Sequence, residues 1–141
     1  GIDRLPYFNP DLDRQFDDPL LPAPVRAMRE AIAASGALLV SSPEYAHGVP
    51  GVLKNALDWL VGGPEMVDRP VALLDTTAPS THAQASLAET LRTMSVNLVG
   101  DASIAISLRG RSRDEDALAA DADIVGPLRA SLAALAAAVR S

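Results

Sequence analysis

Short apolar runs alternate along this chain with segments whose apolar residues recur at helical spacing. The runs at 37–42 (ALLVSS) and 69–76 (RPVALLDT) are too short and too apolar for amphipathic surface elements, and they predict buried strands. A third strand is predicted over 101–108 (DASIAISL). Strands that alternate with helices in this way indicate a parallel sheet with helices on both faces.

Four helices are predicted around these strands. They begin at Pro24, Gly51, His82 and Gly126. Two of them have apolar faces that we expect to point inward, namely Val52, Leu53, Ala56, Leu57 and Leu60 in one, and Leu128, Leu132, Leu135 and Val139 in the other. The acidic stretch 112–123 predicts a solvated segment with a capping box between Ser112 and Glu115.

Composition excludes several classes of function. The chain has 141 residues, which favours one domain, and its net charge of −6 argues against a nucleic-acid binder. Without cysteine there is no thiol nucleophile or thiolate metal site. The two histidines, His47 and His82, lie far apart in sequence, so we predict no metal site, and no nucleophile–base pair marks a catalytic residue. No run is apolar enough to span a membrane and no signal peptide is visible, so a cytoplasmic location is expected.

The loops after the first two predicted strands are the places to look for a ligand. Ligands of open parallel sheets bind at the carboxyl ends of the strands. In the first loop Pro43 and Pro50 stiffen the backbone, while Gly48 and Gly51 allow close approach to a ligand. Exposed amides between them suit a flat heterocycle with a hydrogen-bonding edge. An ordinary strand-to-helix turn is the alternative interpretation, because proline and glycine are common there.

The segment that follows the first strand resembles a family signature. Its sequence, PEYAHGVPGVLKNALDW at 43–59, closely resembles the flavin-loop pattern P-E-Y-N-x-S-x-P-G-x-L-K-N-x-x-D-W of the NADPH-dependent FMN reductases. Ala46 and Gly48 depart from it, standing where Asn and Ser are usual. Residues 5–13 (LPYFNPDLD) resemble the family's acidic linker, and 69–106 resemble its fourth strand, third flavin loop, helix and fifth strand.

The resemblance implies a flavodoxin-like three-layer α/β/α fold with strand order 2-1-3-4-5. The family's phosphate-binding loop, first strand and first helix have no counterpart here, so we expect 1–141 to be a single flavodoxin-like domain that is incomplete at its N-terminus. His82 is expected either to cap the next helix or to approach the flavin ring. The resemblance implies these flavin contacts: Pro43, Glu44, Tyr45, Ala46, His47, Gly48, Thr76, Thr77 and Ala78.

The implied function is that of an FMN-dependent NAD(P)H oxidoreductase. Its cofactors would be FMN and NADPH or NADH, and its partner a small-molecule acceptor such as a quinone, flavin, azo compound or metal oxyanion. The family also implies a homodimer or homotetramer with Trp59 partly buried at the interface, while Lys54 and Asp58 are spaced to form a helical ion pair. The alternatives are a flavin-binding or interaction module without turnover and an electron-carrying flavodoxin.

Overall fold

Two parallel strands form the centre of the fold. The computed structural model describes residues 1–15, 17–77, 81–112 and 114–140. Strand β1 is Leu38–Ser42 and strand β2 is Pro70–Asp75, and they pair in parallel from Leu38 opposite Val71 to Ser42 opposite Asp75. The two predicted strands are therefore confirmed, and they end side by side at the same edge of the sheet.

The third strand is interrupted. Strand β3, Asn97–Leu98, pairs with the start of β2, and strand β4, Ile104–Ala105, pairs with its end. A 3-10 turn at Gly100–Ala102 separates them, and the Ser103 hydroxyl accepts the N–H of Leu73 at 3.1 Å in place of a backbone carbonyl. The predicted continuous strand over 101–108 is therefore wrong in its bounds, because a serine side chain replaces part of the ladder.

The described residues form five helices. Helix α2 ends earlier than its apolar pattern suggested, because the chain turns at Trp59 and continues into a 3-10 turn at Pro64–Met66. Two more 3-10 turns, Ile2–Arg4 and Pro10–Leu12, lie near the start of the chain. The helices are α1 Ala23–Ala33, α2 Gly51–Asp58, α3 His82–Thr93, α4 Glu115–Ala120 and α5 Ala122–Ala138.

Alternate residues of β2 point into two separate cores. Val71 and Leu73 pack with residues of α2 and α3, and α1 residues cover the same cluster. Ala72 points the other way and packs with Ala102 and with Leu135 of α5. Side chains of a strand alternate between faces, so this arrangement confirms the predicted three layers. Small residues on the second face let α5 approach closely, and Ser131 donates to the Ala102 carbonyl at 2.5 Å.

Two predicted inward faces are partly wrong. In α5, Leu132 and Val139 are exposed, and the buried positions are Ile124, Ser131 and Leu135. An alanine-rich helix has no strongly one-sided apolar pattern, so the leucines alone did not identify the inward face. In α2, Val52 is 54% exposed.

Aspartates begin the last two helices. The Asp114 side chain accepts the N–H of Ala117, and that of Asp121 accepts the N–H of Asp123. The predicted capping box from Ser112 to Glu115 is wrong, because the Ser112 hydroxyl accepts the N–H of Asp114 one residue before the helix. Aspartate is among the preferred N-cap residues. Helix α5 therefore begins at Ala122, ahead of the predicted start at Gly126.

An apolar groove borders the free side of β1. Within the described ranges, β1 pairs with β2 alone. The groove has a volume of about 570 Å³ and lies between the first 3-10 turn, α1, β1 and α2. In the order 2-1-3-4-5 a first strand would lie beside this edge, and that part of the order stays a prediction. The side chains that line it include Ile2, Met28, Ile32, Leu38, Val40 and Leu57.

Buried Arg29 joins the acidic linker to the helical layer. Its Nε donates to the carbonyl of Trp59 at 3.0 Å, where α2 ends, and its Nη2 lies 2.6 Å from Asp13 Oδ1. Glu65 Oε1 is an ion-pair partner 3.1 Å from Arg29 Nε, while Glu65 Oε2 is buried with no donor among the described residues. Gly63 makes room for that carboxylate, since a Cβ there would lie 2.2 Å from Glu65 Oε2.

Replacing Arg29 tests how strongly this hub supports the fold. We expect Arg29→Met to lower the free energy of unfolding by about 3 kcal/mol, because Glu65 would then be buried without a counter-ion. Urea unfolding followed by tryptophan fluorescence measures this change. The matched control is Arg92→Met, which removes an exposed pair with Glu89 and should change stability by less than about 1 kcal/mol. Equal effects of the two substitutions would contradict the assigned role of the hub.

Candidate functional site

The two loops singled out by the sequence leave the sheet next to each other. Ser42 and Asp75 are partners in the register of β1 and β2, so the segments that follow them start at one edge. We call Pro43–Gly48 the hairpin loop. The second loop starts at Thr76 and leads to α3, which begins at His82. The predicted contacts from Pro43 to Thr77 are thus brought together at the carboxyl edge, whereas Ala78 lies outside the described residues.

The hairpin loop contains a two-residue turn with an unusual backbone. Tyr45 and Gly48 exchange two hydrogen bonds, with N–H to oxygen distances of 3.0 and 2.8 Å. Ala46 and His47 form the turn with φ of 48° and 62°. Positive φ at both central positions is the geometry of a type I′ turn, which Asn and Gly favour. Alanine and histidine adopt it at a cost, so the surrounding contacts must hold the turn in place.

Among the described residues, three hydrogen bonds join the hairpin loop and β1 to the second loop and α3. The N–H of Glu44 donates to Thr77 Oγ1 at 3.3 Å, and Gln84 Nε2 donates to the carbonyl of Ser42 at 3.2 Å. Glu44 Oε2 accepts the N–H of Ala83 at 2.8 Å, so this carboxylate caps α3. A carboxylate at a helix N-terminus is favoured by the unpaired N–H groups and by the helix dipole.

A ring contact adds a fourth link. The imidazoles of His47 and His82 are stacked, with centroids 4.5 Å apart and planes inclined by 25°. Both side chains are exposed. The N-terminus of α3 is capped by Glu44, not by His82, so the capping role expected for His82 is wrong.

The threonines after β2 stabilise the start of the second loop. Asp75 Oδ1 accepts from the N–H of Thr77 at 2.9 Å and from its hydroxyl at 3.2 Å. The carbonyl of Thr76 accepts the N–H of Leu108 at 3.3 Å, which ties this loop to the segment after β4. Thr77 therefore has a structural role here, and its contact with a flavin stays a prediction.

The donors on the hairpin loop fit the polar edge of a flat heterocycle. Among the described residues, neither the N–H of Ala46 nor that of His47 has a backbone or side-chain acceptor. Both residues are exposed, and the side chain at residue 46 is only a methyl group. Flavin has a planar ring with a row of carbonyl and nitrogen acceptors at one edge, so the donor set is chemically compatible with it.

The site is an open rim, since Tyr45, Ala46, His47 and His82 are exposed. Two cavities of the described ranges lie elsewhere, and neither is lined by residues of the hairpin loop or by the threonines. The second of these cavities, of about 1030 Å³, lies between the acidic linker and the turn after α2. Its lining includes Asp13, Asp17, Asp18, Gly62 and Gly63.

Other residues of the signature support the linker. Asn55 donates from Nδ2 to the carbonyl of Pro6 at 2.9 Å and accepts the N–H of Phe8 at 2.8 Å. Trp59 Nε1 also donates to the Pro6 carbonyl, at 2.8 Å, and its ring meets that of Phe8 edge to face. Trp59 is 0% exposed, so the partial burial expected for it at a subunit interface is wrong. The linker of the same chain covers the ring.

Helix α2 contains the ion pair that its sequence spacing predicted. Lys54 Nζ lies 2.5 Å from Asp58 Oδ1, which confirms this pair. Within the described ranges, no helix combines the length and apolar character that crossing a membrane requires.

Substituting Ala46 tests whether the turn is strained. We expect Ala46→Asn to raise the free energy of unfolding by about 1 kcal/mol, because asparagine tolerates positive φ better than alanine. The comparison is Ala88→Gly in the middle of α3, which should lower the same quantity by about 1 kcal/mol. Both are measured by urea unfolding. A destabilised Ala46→Asn variant would show that the turn does not have the described backbone.

Comparisons with known proteins agree with this architecture. The family model described as NADPH-dependent FMN reductase matches residues 2–109. An NAD(P)H-dependent FMN reductase of Pseudomonas aeruginosa is 33% identical over 128 residues, covering 82% of this chain and 67% of that protein. A 2-hydroxy-1,4-benzoquinone reductase of a Burkholderia species is 45% identical over 58 residues, covering 41% of this chain and 29% of that protein.

A solved structure shows the same fold. The flavoenzyme NAD(P)H:(acceptor) oxidoreductase FerB of Paracoccus denitrificans superposes with a TM-score of 0.70 at 26% identity, covering 99% of this chain and 77% of that one. The predicted flavodoxin-like α/β fold is thus confirmed. The family match extends over all of β1, α2 and β2 and both loops. The chain belongs to the NADPH-dependent FMN reductase family.

Proposed function

We propose that this protein is an FMN-dependent NAD(P)H oxidoreductase whose flavin ring lies against the hairpin loop. The observation that carries the proposal is the pair of backbone amides at Ala46 and His47 that have no acceptor among the described residues, on a turn held by bonds to the second loop and α3. Fixed backbone donors of this kind suit the acceptor edge of a flavin, because the protein's part in flavin chemistry is to bind and orient the cofactor. The activities for which the family relatives are named support the same assignment.

The protein's own part in this reaction is binding and orientation. FMN, when bound, would supply the redox chemistry between reduced nicotinamide and an acceptor. Glu44 holds the hairpin loop on α3, and the amides of Ala46 and His47 would hold the polar edge of the ring. Pro43 and Tyr45 add apolar surface at the rim, and Gly48 leaves the backbone accessible. No acid–base pair on the protein is needed for hydride transfer itself.

The acceptor class that we favour is a quinone. Relatives from Burkholderia and from Escherichia coli carry quinone reductase names, and the open rim leaves space for a second planar molecule beside the flavin. Free flavin, azo compounds and metal oxyanions are further acceptors to test. A cytoplasmic location is part of the proposal, because reduced nicotinamide cofactors are supplied there.

Self-association of the protein is also proposed. The linker residue Tyr7 is 93% exposed, and it adjoins Phe8, which contacts Asn55 on α2. Val52 lies one turn before Asn55 and is also exposed. Large apolar side chains that gather on one surface mark an interaction site, and a second copy would form a homodimer or, with another interface, a homotetramer.

A flavin-binding module without turnover is the second candidate. The observation that favours it is the openness of the rim, since Tyr45, Ala46 and His47 of the hairpin loop are exposed. Steady-state oxidation of NADPH with menadione separates the two candidates. Turnover that depends on added FMN supports the reductase, and a flavin that stays oxidised in excess NADPH supports the module.

Substitution of Gly48 tests the location of the ring. A Cβ at this position would lie 3.5 Å from the Tyr45 carbonyl oxygen, an ordinary contact, so Gly48→Leu should fold normally. We expect it to weaken FMN binding about tenfold, which corresponds to about 1.4 kcal/mol, because a side chain larger than the family's usual serine separates ring and backbone. Quenching of FMN fluorescence measures the dissociation constant.

Gly126→Leu is the matched control for this substitution. It adds the same side chain in α5, where nothing lies within 4 Å of a Cβ, and should leave FMN binding unchanged. If Gly48→Leu binds FMN as well as the unmodified protein, the ring does not lie against this part of the hairpin loop.

A further inference from the structure

The only two histidines of the chain meet at the proposed site. His47 comes from the turn of the hairpin loop and His82 from the first residue of α3, 35 positions later. Their rings stack with centroids 4.5 Å apart, and both are exposed to solvent at the open rim. We call them the histidine pair. Histidine is the side chain whose ordinary charge change falls between about pH 5 and 8, so the pair concentrates proton-transfer capacity at one point.

We propose that His47 donates a proton to the electron acceptor and that His82 is a positioning residue that holds the His47 ring by stacking. This inference rests on the proposed function. It gives a role to the His47 and His82 side chains, whose contact the other bonds of the two loops do not require. His47 is then the catalytic residue on the acceptor side, and His82 acts through it.

The chemistry of quinone reduction requires such a donor. Conversion of a quinone to a hydroquinone takes one hydride and one proton. The hydride equivalent is the cofactor's contribution, and a ring N–H of protonated His47 gives its proton to a quinone oxygen. The N–H bond breaks as the O–H bond forms, the imidazole becomes neutral, and a proton from solvent restores it. A positioned donor of this kind contributes to the rate by general acid catalysis.

The placement of the two rings assigns the roles. His82 is the first residue of α3. His47 lies on the turn whose amides are proposed to hold the flavin ring, so it is the histidine placed beside the acceptor. His82 contacts His47 through the ring stack and acts on the acceptor through it.

Other acidic and ionisable groups nearby are already engaged. Glu44 accepts the N–H of Ala83, and Asp75 accepts both the N–H and the hydroxyl of Thr77. Tyr45 is exposed on the hairpin loop, but a phenol is a weaker acid than an imidazolium. His47 is therefore the best-matched proton donor among the described residues of the two loops.

The strained turn gives a reason for the arrangement. A positive φ at His47 is unfavourable for a residue with a Cβ, yet it points this side chain at the neighbouring loop. The stack with His82 and the cap from Glu44 to Ala83 hold that geometry.

The first experiment compares two acceptors. Ferricyanide takes up electrons without a proton, whereas menadione needs one. With FMN-loaded protein and NADPH, we expect His47→Gln to lower the menadione-to-ferricyanide rate ratio at least about tenfold. An unchanged ratio in His47→Gln would overturn the proposal.

The second experiment separates stacking from proton donation. His82→Phe keeps an aromatic face without an ionisable proton and should retain most of the menadione-to-ferricyanide rate ratio. His82→Ala should lower this ratio about as much as His47→Gln does. His47→Phe should also have the low ratio, because the proton donor itself is missing. Arg92→Gln, at the opposite end of α3, is the control and should leave both rates unchanged. Equal ratios in His82→Phe and His82→Ala would contradict the positioning role.

A measurement without turnover distinguishes failure of the histidine-pair proposal from failure of the proposed reductase function. The C2 proton signals of the two histidines are followed by NMR while 1,4-naphthoquinone is added to oxidised, FMN-loaded protein without NADPH. Shifts of the His47 signal, lost in His82→Ala, support the histidine pair, and unmoved signals count against it. Failure to oxidise NADPH with either acceptor counts against the proposed function, and the NMR result still decides whether the acceptor meets His47.

Discussion

The parallel pairing of β1 with β2 is the constraint on which the site depends. Because Ser42 lies opposite Asp75, the segments after both strands start next to each other at one edge. Only then can Glu44 reach the N-terminus of α3 and His47 reach His82. Ligand sites at the carboxyl ends of parallel strands arise in this way, since each strand ends where its neighbour ends. The hydrogen-bond ladder between β1 and β2 therefore sets the position of the candidate site independently of side-chain contacts.

Two sets of polar contacts then stabilise this edge and the layer behind it. At the edge, the Glu44 carboxylate gives up contacts with water and caps α3. The hydrogen bond of this cap offsets part of the backbone strain at Ala46 and His47. Behind it, Arg29 joins the end of α2 to the acidic linker, and Asn55 fixes the same linker through Pro6 and Phe8. The signature residues thus divide into a group that faces the proposed ligand and a group that holds the chain behind it.

Much of the fold could be predicted from the sequence, because strands β1 and β2 are continuous apolar runs and the helices α1 to α3 have clear apolar faces. The interrupted third strand could not be predicted, since Ser103 replaces a backbone partner with its side chain. The inward face of α5 was also ambiguous, because its many alanines leave no strong contrast between sides. At the site, the hairpin loop was identified from its prolines, glycines and family signature. The contact between His47 and His82 was not, because 35 residues separate them and no spacing rule links them.

The central claim is that the amides of the hairpin loop hold the flavin ring, and it is tested most directly by NMR. In a two-dimensional ¹⁵N–¹H spectrum titrated with FMN, the amide signals of Ala46, His47 and Gly48 should move furthest, with smaller changes at Thr77 and Ala83. Signals from the apolar groove beside β1, such as those of Leu38 and Ile32, should stay in place. Shifts that concentrate in that groove, or a hairpin loop whose signals do not move at saturating FMN, would contradict the account.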